Sequence, residues 1–262
     1  MSILEPADAD QKARALIASG SSLFGAGVGA AIGLFGGPFG AVGGAVAGSL
    51  AGEVLTRVGR EVADRWLGPR EAARIGAAIA VAANRIERRL HSGDVLRSDG
   101  FFLPTDLRRS AAEEVAESAL IKIQRTAEER KVPFIANIIA NVCFDEEIDE
   151  HLAHILIRTS EALSYRQFCL LSIFQNNDYG LRSENYVESP EDVSESTSIV
   201  LTEIFDLFKM NCVCVEETFM LDYYWVKPSA MELTSIGKRL AALLSLDELS
   251  ALDRDEVSLL LR

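Results

Sequence analysis

Apolar residues recur along most of this chain at spacings of three and four, the period of an amphipathic helix. Residues 6–18 read as a short helix. Residues 56–67 read as a helix ended by Gly68-Pro69, and Pro69 suits the first turn of the next, which reaches about Leu90. The stripe of that helix is Ile75, Ile79, Ala82, Ile86 and Leu90, which buries one face and leaves the arginines on the other. A loop over 92–104 precedes a predicted helix over 106–130, with Leu107, Ala111, Val115, Ala119 and Ile123 as its stripe. Residues 133–143 (PFIANIIANVC) are apolar almost throughout and are expected at the centre of the body, where Asn137 and Asn141 satisfy each other or nearby backbone. Asp145 to Asp149 open a helix running to about Leu163, and Ser164 with Gln167 forms a capping-box pattern for a helix over 165–175.

The pattern changes in the last third. Residues 176–196 are polar and irregular, an exposed loop or a flexible insertion. A helix over 198–209 is followed by two stretches with strand composition, 212–215 and 223–226. Leu233-Thr234 ends a third extended piece and caps a helix over 235–244, and residues 247–261 read as a closing amphipathic helix. Helix, strand, loop, strand, helix is the outline of a winged helix. The fold class expected is mainly α: an N-terminal glycine-zipper helical hairpin (residues 1–55), a helical body (56–163), and a winged-helix-like α+β part (164–262).

Against these amphipathic segments, one stretch has no polar face. Between Arg14 and Glu53 lie 38 residues without a charge. Their glycines fall into two runs four residues apart: Gly25, Gly29, Gly33, Gly37, and Gly36, Gly40, Gly44, Gly48, Gly52. Every fourth residue drifts slowly round a helix, so each run makes a stripe without side chains, along which backbones approach closely. Gly36-Gly37-Pro38 supplies a turn between two arms. At about 1.5 Å per residue the arms are roughly 33 and 25 Å long, near the roughly 30 Å of a bilayer's hydrocarbon core. Gly and Ala bring little transfer energy, so conditional insertion by several copies is expected rather than permanent anchoring. In water each glycine costs a helix about 1 kcal/mol relative to alanine, so the hairpin needs lipid or protein around it. The alternatives are a hairpin packed within the soluble body, and a nucleotide loop at Gly25-Ala26-Gly27-Val28-Gly29-Ala30. The latter lacks the preceding strand that this fingerprint requires.

Charge adds direction. The net charge of −13 lies in residues 131–262, since residues 1–130 hold sixteen acids and sixteen bases, so nucleic acid is not an expected partner. Nine arginines lie between residues 57 and 97, directly after the uncharged stretch. Arg57, Arg60 and Arg65 are read as a membrane-surface flank on the cytoplasmic side. Cys143, Cys169, Cys212 and Cys214 lack the spacing of a disulfide framework or zinc site, and no secretory signal is read at the N-terminus, so a cytoplasmic location with conditional or permanent inner-membrane association is expected. His151 and His154 share a helix with Glu147 and Glu150, but a second Glu-x-x-His is lacking, so a solvated face is the reading and no metal or cofactor is expected. No nucleophile elbow, phosphate loop or zinc-protease motif occurs, and an enzyme is not expected.

From about Glu113 to Phe174, under a quarter of the chain, a charged helix (AEERK) leads into the apolar ANIIANVCF segment. An acidic DEEID turn and a helix ending LSYRQFCLLSIF follow. This layout resembles the abortive-infection alpha family of bacterial phage-defence proteins. The resemblance implies a bacterial cytoplasmic protein that halts a phage-infected cell, and it carries over no catalytic residues. The expected function is a self-associating, membrane-permeabilising effector whose partners are membrane lipid, further copies of itself and a protein trigger or sensor. A soluble adaptor whose winged-helix-like part binds a protein is the alternative.

Overall fold

A computed structural model describes residues 49–262, except 64, 66, 177, 188–192 and 216–219. The helix read over 6–18, both hairpin arms as far as residue 48, and the turn at Gly36-Gly37-Pro38 lie outside the described residues. The chain is mainly helical, with a small two-stranded antiparallel sheet near its C-terminus. It divides into two compact units, Met1–Glu161 and Ala162–Arg262.

In the N-terminal unit, α1 (Leu50–Ala63) starts where the Ser49 hydroxyl accepts the Gly52 N–H at 3.1 Å, an N-cap. Residues 50–55, assigned by the sequence to the hairpin's second arm, are thus the first turns of a helix that buries Ala51, Leu55, Val58 and Val62. α1 also ends before the expected residue 67. Pro69 holds Gly68 extended (φ −68°, ψ 158°), which stops a helix from running through. Gly59 permits close contact with α2 (Pro69–His91), since a Cβ there would stand 3.0 Å from Ile79 Cδ1. α2 begins with Pro69, and Glu71 accepts the Gly68 N–H at 2.7 Å. Ile75, Ile79, Ala82 and Ile86 are buried, as their spacing dictates.

The helix expected over 106–130 is shorter, α3 (Ala111–Arg125). Ser110 and Glu113 close a capping box, Glu113 accepting from the Ser110 N–H at 3.0 Å, and this fixes the start. Upstream, reciprocal Thr105–Arg108 backbone bonds make a turn that leaves Leu107 95% exposed rather than in the stripe. After a 3₁₀ turn at Glu129–Lys131, all ten residues of α4 (Val132–Asn141) are buried, and a 3₁₀ turn extends it over Val142–Phe144. α5 (Glu150–Ala162) starts later than expected because the Asp149 carboxylate accepts the Leu152 N–H at 2.7 Å and caps it there.

In the C-terminal unit, α6 (Tyr165–Asn176) has the expected capping box, Gln167 accepting from the Ser164 N–H at 2.8 Å. α7 (Glu195–Lys209) is capped by Ser194 and starts three residues before the expected position. The intervening connection is only partly exposed. Leu181 and Tyr186 are buried, and the backbone of Arg182 bonds to Leu261 and Ser229, so residues 181–186 are held by the core. β1 (Val213–Val215) pairs antiparallel with β2 (Met231–Leu233), Cys214 opposite Glu232. The strand expected over 223–226 is a 3₁₀ turn, Tyr223–Trp225: Asp222 accepts the Tyr224 N–H at 2.9 Å, and this local bond outweighs the aromatic strand composition. Thr234 caps α8 (Ser235–Leu244), and Gly237 is obligatory, because a Cβ there would lie 1.9 Å from the Cys212 carbonyl oxygen. Instead of one closing helix there is a 3₁₀ turn, Leu246–Glu248, reached through Ser245 at φ 56°, and then α9 (Ala251–Leu259).

Candidate functional site

Of the glycines singled out by the sequence, Gly25, Gly29, Gly33, Gly36, Gly37, Gly40, Gly44 and Gly48 lie outside the described residues. Gly52 is buried in the first turn of α1. What can be built from side chains is the element that this stretch joins. Along α1 and just beyond it, Arg57, Glu61 and Arg65 recur every four residues, and Arg109, Glu113 and Glu117 do the same from just before α3 into its first turns. Arg57 pairs with Glu113 at 2.7 Å, Arg109 with Glu61 at 2.8 Å and with Glu117 at 2.6 Å, and Arg65 also pairs with Glu117. Burial pushes the Glu113 carboxyl up, but the Ser110 N–H and hydroxyl and the Arg57 guanidinium outweigh it and hold the group below its ordinary value. Arg60 is exposed and has no carboxylate partner among the described residues.

Magnitudes decide what holds α1 in place. Half-exposed ion pairs contribute about 0–1 kcal/mol each, whereas burying a Leu or Val side chain stabilises by about 1.5–3 kcal/mol. Leu55, Val58 and Val62 are fully buried, so the apolar face docks α1 and the ion pairs to α3 add little.

The remaining arginines of the basic run are largely turned inward. Arg74 donates to the Gln124 carbonyl at 2.5 Å, Arg85 to Asn137 at 3.0 Å and Arg89 to Asn141 at 3.3 Å. The two asparagines of α4 therefore meet α2 arginines that the stripe had placed on the outer face. Helix α4 has no outer face, and the neighbouring helix supplies the donors. Arg97 is buried; its guanidinium donates to the Ile148 carbonyl at 2.7 Å and to Val142 at 3.2 Å, lies over the Phe101 ring and pairs with Asp99. Nothing in the spacing of Arg97 signalled this, since it sits in a predicted loop.

Glu150 and His154 do share a helix, and the fold adds Glu114 of α3, whose role was not apparent from its place in a predicted helix's charged face. One ligand atom from each lies within 4.8 Å of the others. Arg108 already spans the two carboxylates, at 3.0 Å from Glu114 and 2.9 Å from Glu150, while His154 Nε2 stands 4.0 Å from Glu150. One protein cation thus already sits between the two carboxylates and offsets one of their charges. Burial raises Cys143 to about 12 and Cys212 to about 11, so both are thiols at neutral pH and poor nucleophiles.

Among the described residues no helix is long and apolar enough to cross a membrane. Comparison of the chain with protein-family models, curated proteins and solved structures finds no match in any of the three.

Proposed function

We propose that this chain is a membrane-acting effector of bacterial anti-phage defence by abortive infection. Several copies associate through glycine stripes, insert the N-terminal hairpin and permeabilise the inner membrane from the cytoplasmic side. The observation that carries this reading is the 38-residue uncharged stretch with glycines at every fourth position. The packing of α1 narrows it: residues 50–55 are committed to the N-terminal unit, so the part free to insert ends at Ser49. Cell entry into dormancy or death would follow from lost membrane potential, set off by a protein trigger. Dye leakage from vesicles, with Gly29→Leu and Gly44→Leu to fill the two stripes, tests the reading. Leakage by the wild-type chain that both substitutions suppress is expected, and vesicles left intact under every triggering condition would falsify it.

A second reading, a soluble winged-helix-type adaptor, is favoured by the run α7, β1, β2, α8 in the C-terminal unit. Glu203 and Asp206 make α7 a poor surface for a phosphate backbone. Deleting residues 15–48 separates the two readings: an adaptor keeps its cellular effect, and a membrane effector loses it.

A further inference from the structure

The direction of the helices in the N-terminal unit brings four exposed apolar side chains to the end where the uncharged stretch joins. Arg57 of α1 meets Glu113 in the first turn of α3, and Arg65 meets Glu117 one turn later, so α1 and α3 run the same way. α2 runs opposite, because Arg74 near its start bonds the carbonyl of Gln124 at the end of α3. Leu50, about 10 Å before Arg57 along α1, therefore stands at the end that also carries the close of α2, the start of α3 and the connection 92–110 between them.

Exposure at that end is concentrated. Among the described residues of this unit five large aliphatic side chains are exposed: Leu50 (49%), Val95 (81%), Leu103 (65%), Leu107 (95%) and Ile155 (43%). Four of the five belong to this one end, and only Ile155 lies elsewhere, on α5. Scattered exposed leucines are ordinary; here three of the four lie on the one connection, at the end where the 38-residue uncharged stretch enters. Leu107 lies within the closed Thr105–Arg108 turn, and Leu103 two residues before it. Several charges nearby are paired internally, Arg89 with Asp94, Arg97 with Asp99, and Arg108 with Glu114 and Glu150, while Glu53 and Asp106 are exposed and the connection bonds the acidic 145–150 turn through Ser98 and Glu146. The apolar side chains thus stand within an acidic rim.

We infer that this end is the face of the folded unit that meets the lipid surface, with Leu103 and Leu107 entering the headgroup boundary beside the inserting N-terminal segment. This rests on the membrane-acting reading and adds to it a fixed docking face that the uncharged stretch alone does not supply. Because the contact is apolar, it does not depend on anionic lipid. The occupant follows from continuity: the segment that seeks lipid leaves the unit at Ser49, so whatever it enters is brought against the same end.

The test uses the full chain in a Cys214→Ser background, with Leu107→Cys carrying a polarity-sensitive dye and phosphatidylcholine vesicles with and without phosphatidylglycerol. Expected are a dye that moves to an apolar environment on binding either vesicle, and a partition weakened by about tenfold or more in the Leu103→Asp, Leu107→Asp double variant. Ile155→Asp should leave partition unchanged. A vesicle-bound chain whose dye stays in water overturns the docking face and leaves the membrane-acting reading intact. A dye already shielded without vesicles, and exposed on deleting residues 15–48 or on dilution, shows the chain's own segment or a second copy as the occupant and likewise overturns it. A chain that binds no vesicle at all overturns both.

Discussion

In the N-terminal unit, arginines at 57, 65, 74, 85, 89 and 97 each reach from one element to another, to carboxylates, asparagines or carbonyl oxygens. Among the described residues of the C-terminal unit, Arg166 links α6 to Glu203 of α7 and Arg254 links α9 to Ser172 of α6. There, close backbone approach adds to closure: β1 on β2, the Thr234 hydroxyl donating to the Asn211 carbonyl at 2.6 Å, and Gly237 against Cys212. The difference predicts different weaknesses. A unit closed by backbone contact fails on the addition of one methyl group, while a unit linked by long side chains yields gradually, as each polar partner is lost.

The largest effect is expected at the tightest approach. Gly237→Ala places a Cβ on the Cys212 carbonyl and should cost the C-terminal unit about 3 kcal/mol or more, read as a lowered denaturation midpoint and fast amide exchange in α8. An unchanged midpoint would mean that α8 can shift freely. Next, Arg97→Met strands the Val142 and Ile148 carbonyls in a buried site, with an expected loss of about 2–3 kcal/mol in the N-terminal unit. Because that guanidinium is buried, the stability it provides should persist in molar salt, where surface pairs fade.

Smaller effects separate the cap from the surface pairs. Ser110→Ala removes half of the α3 capping box and should cost about 1 kcal/mol, visible as fraying of the first turn of α3 in amide exchange. Glu113 adds a pH signature. Its folded carboxyl lies below the ordinary 4.5, so its contribution is fully present above that value and disappears as pH falls through the lower folded value. Acid titration of wild type against Glu113→Gln should show the difference confined to that window. The least is expected from Arg108→Ala, under about 1 kcal/mol for a 60% exposed side chain. The same change removes the cation between Glu114 and Glu150, and a loss of several kcal/mol would show that the cluster is structural after all.

Helix existence was legible because burial repeats with the helical period. Ile75, Ile79 and Ile86, and the unbroken apolar run of α4, follow from side-chain spacing alone. Boundaries were legible where a cap is local, as at Ser164 and Gln167. They differ where a local cap overrules the broader signal: Ser110 cuts off the apolar spacing at Leu107, and Asp149 cuts off the acidic run from Asp145. The aromatic run at 223–225 misled for a similar reason, one Asp222 bond being enough to turn the chain. For the candidate site, the spacing of Arg57 and Arg65 was visible but their partners were not, since Glu113 and Glu117 are about fifty residues away in sequence.

By itself the sequence determined what is set by composition and local period: a mainly helical chain, an uncharged stretch with glycines at every fourth position, and an acidic C-terminal half. Tertiary structure alone decided which charges remain available. It ties arginines 57, 65, 85, 89 and 97 of the basic run to other elements, packs residues 50–55 into α1, and places Leu50, Val95, Leu103 and Leu107 at one end of the N-terminal unit. The physical reason is that a charge or an exposed side chain acts through what surrounds it in space, and those surroundings are supplied by residues far away in the chain.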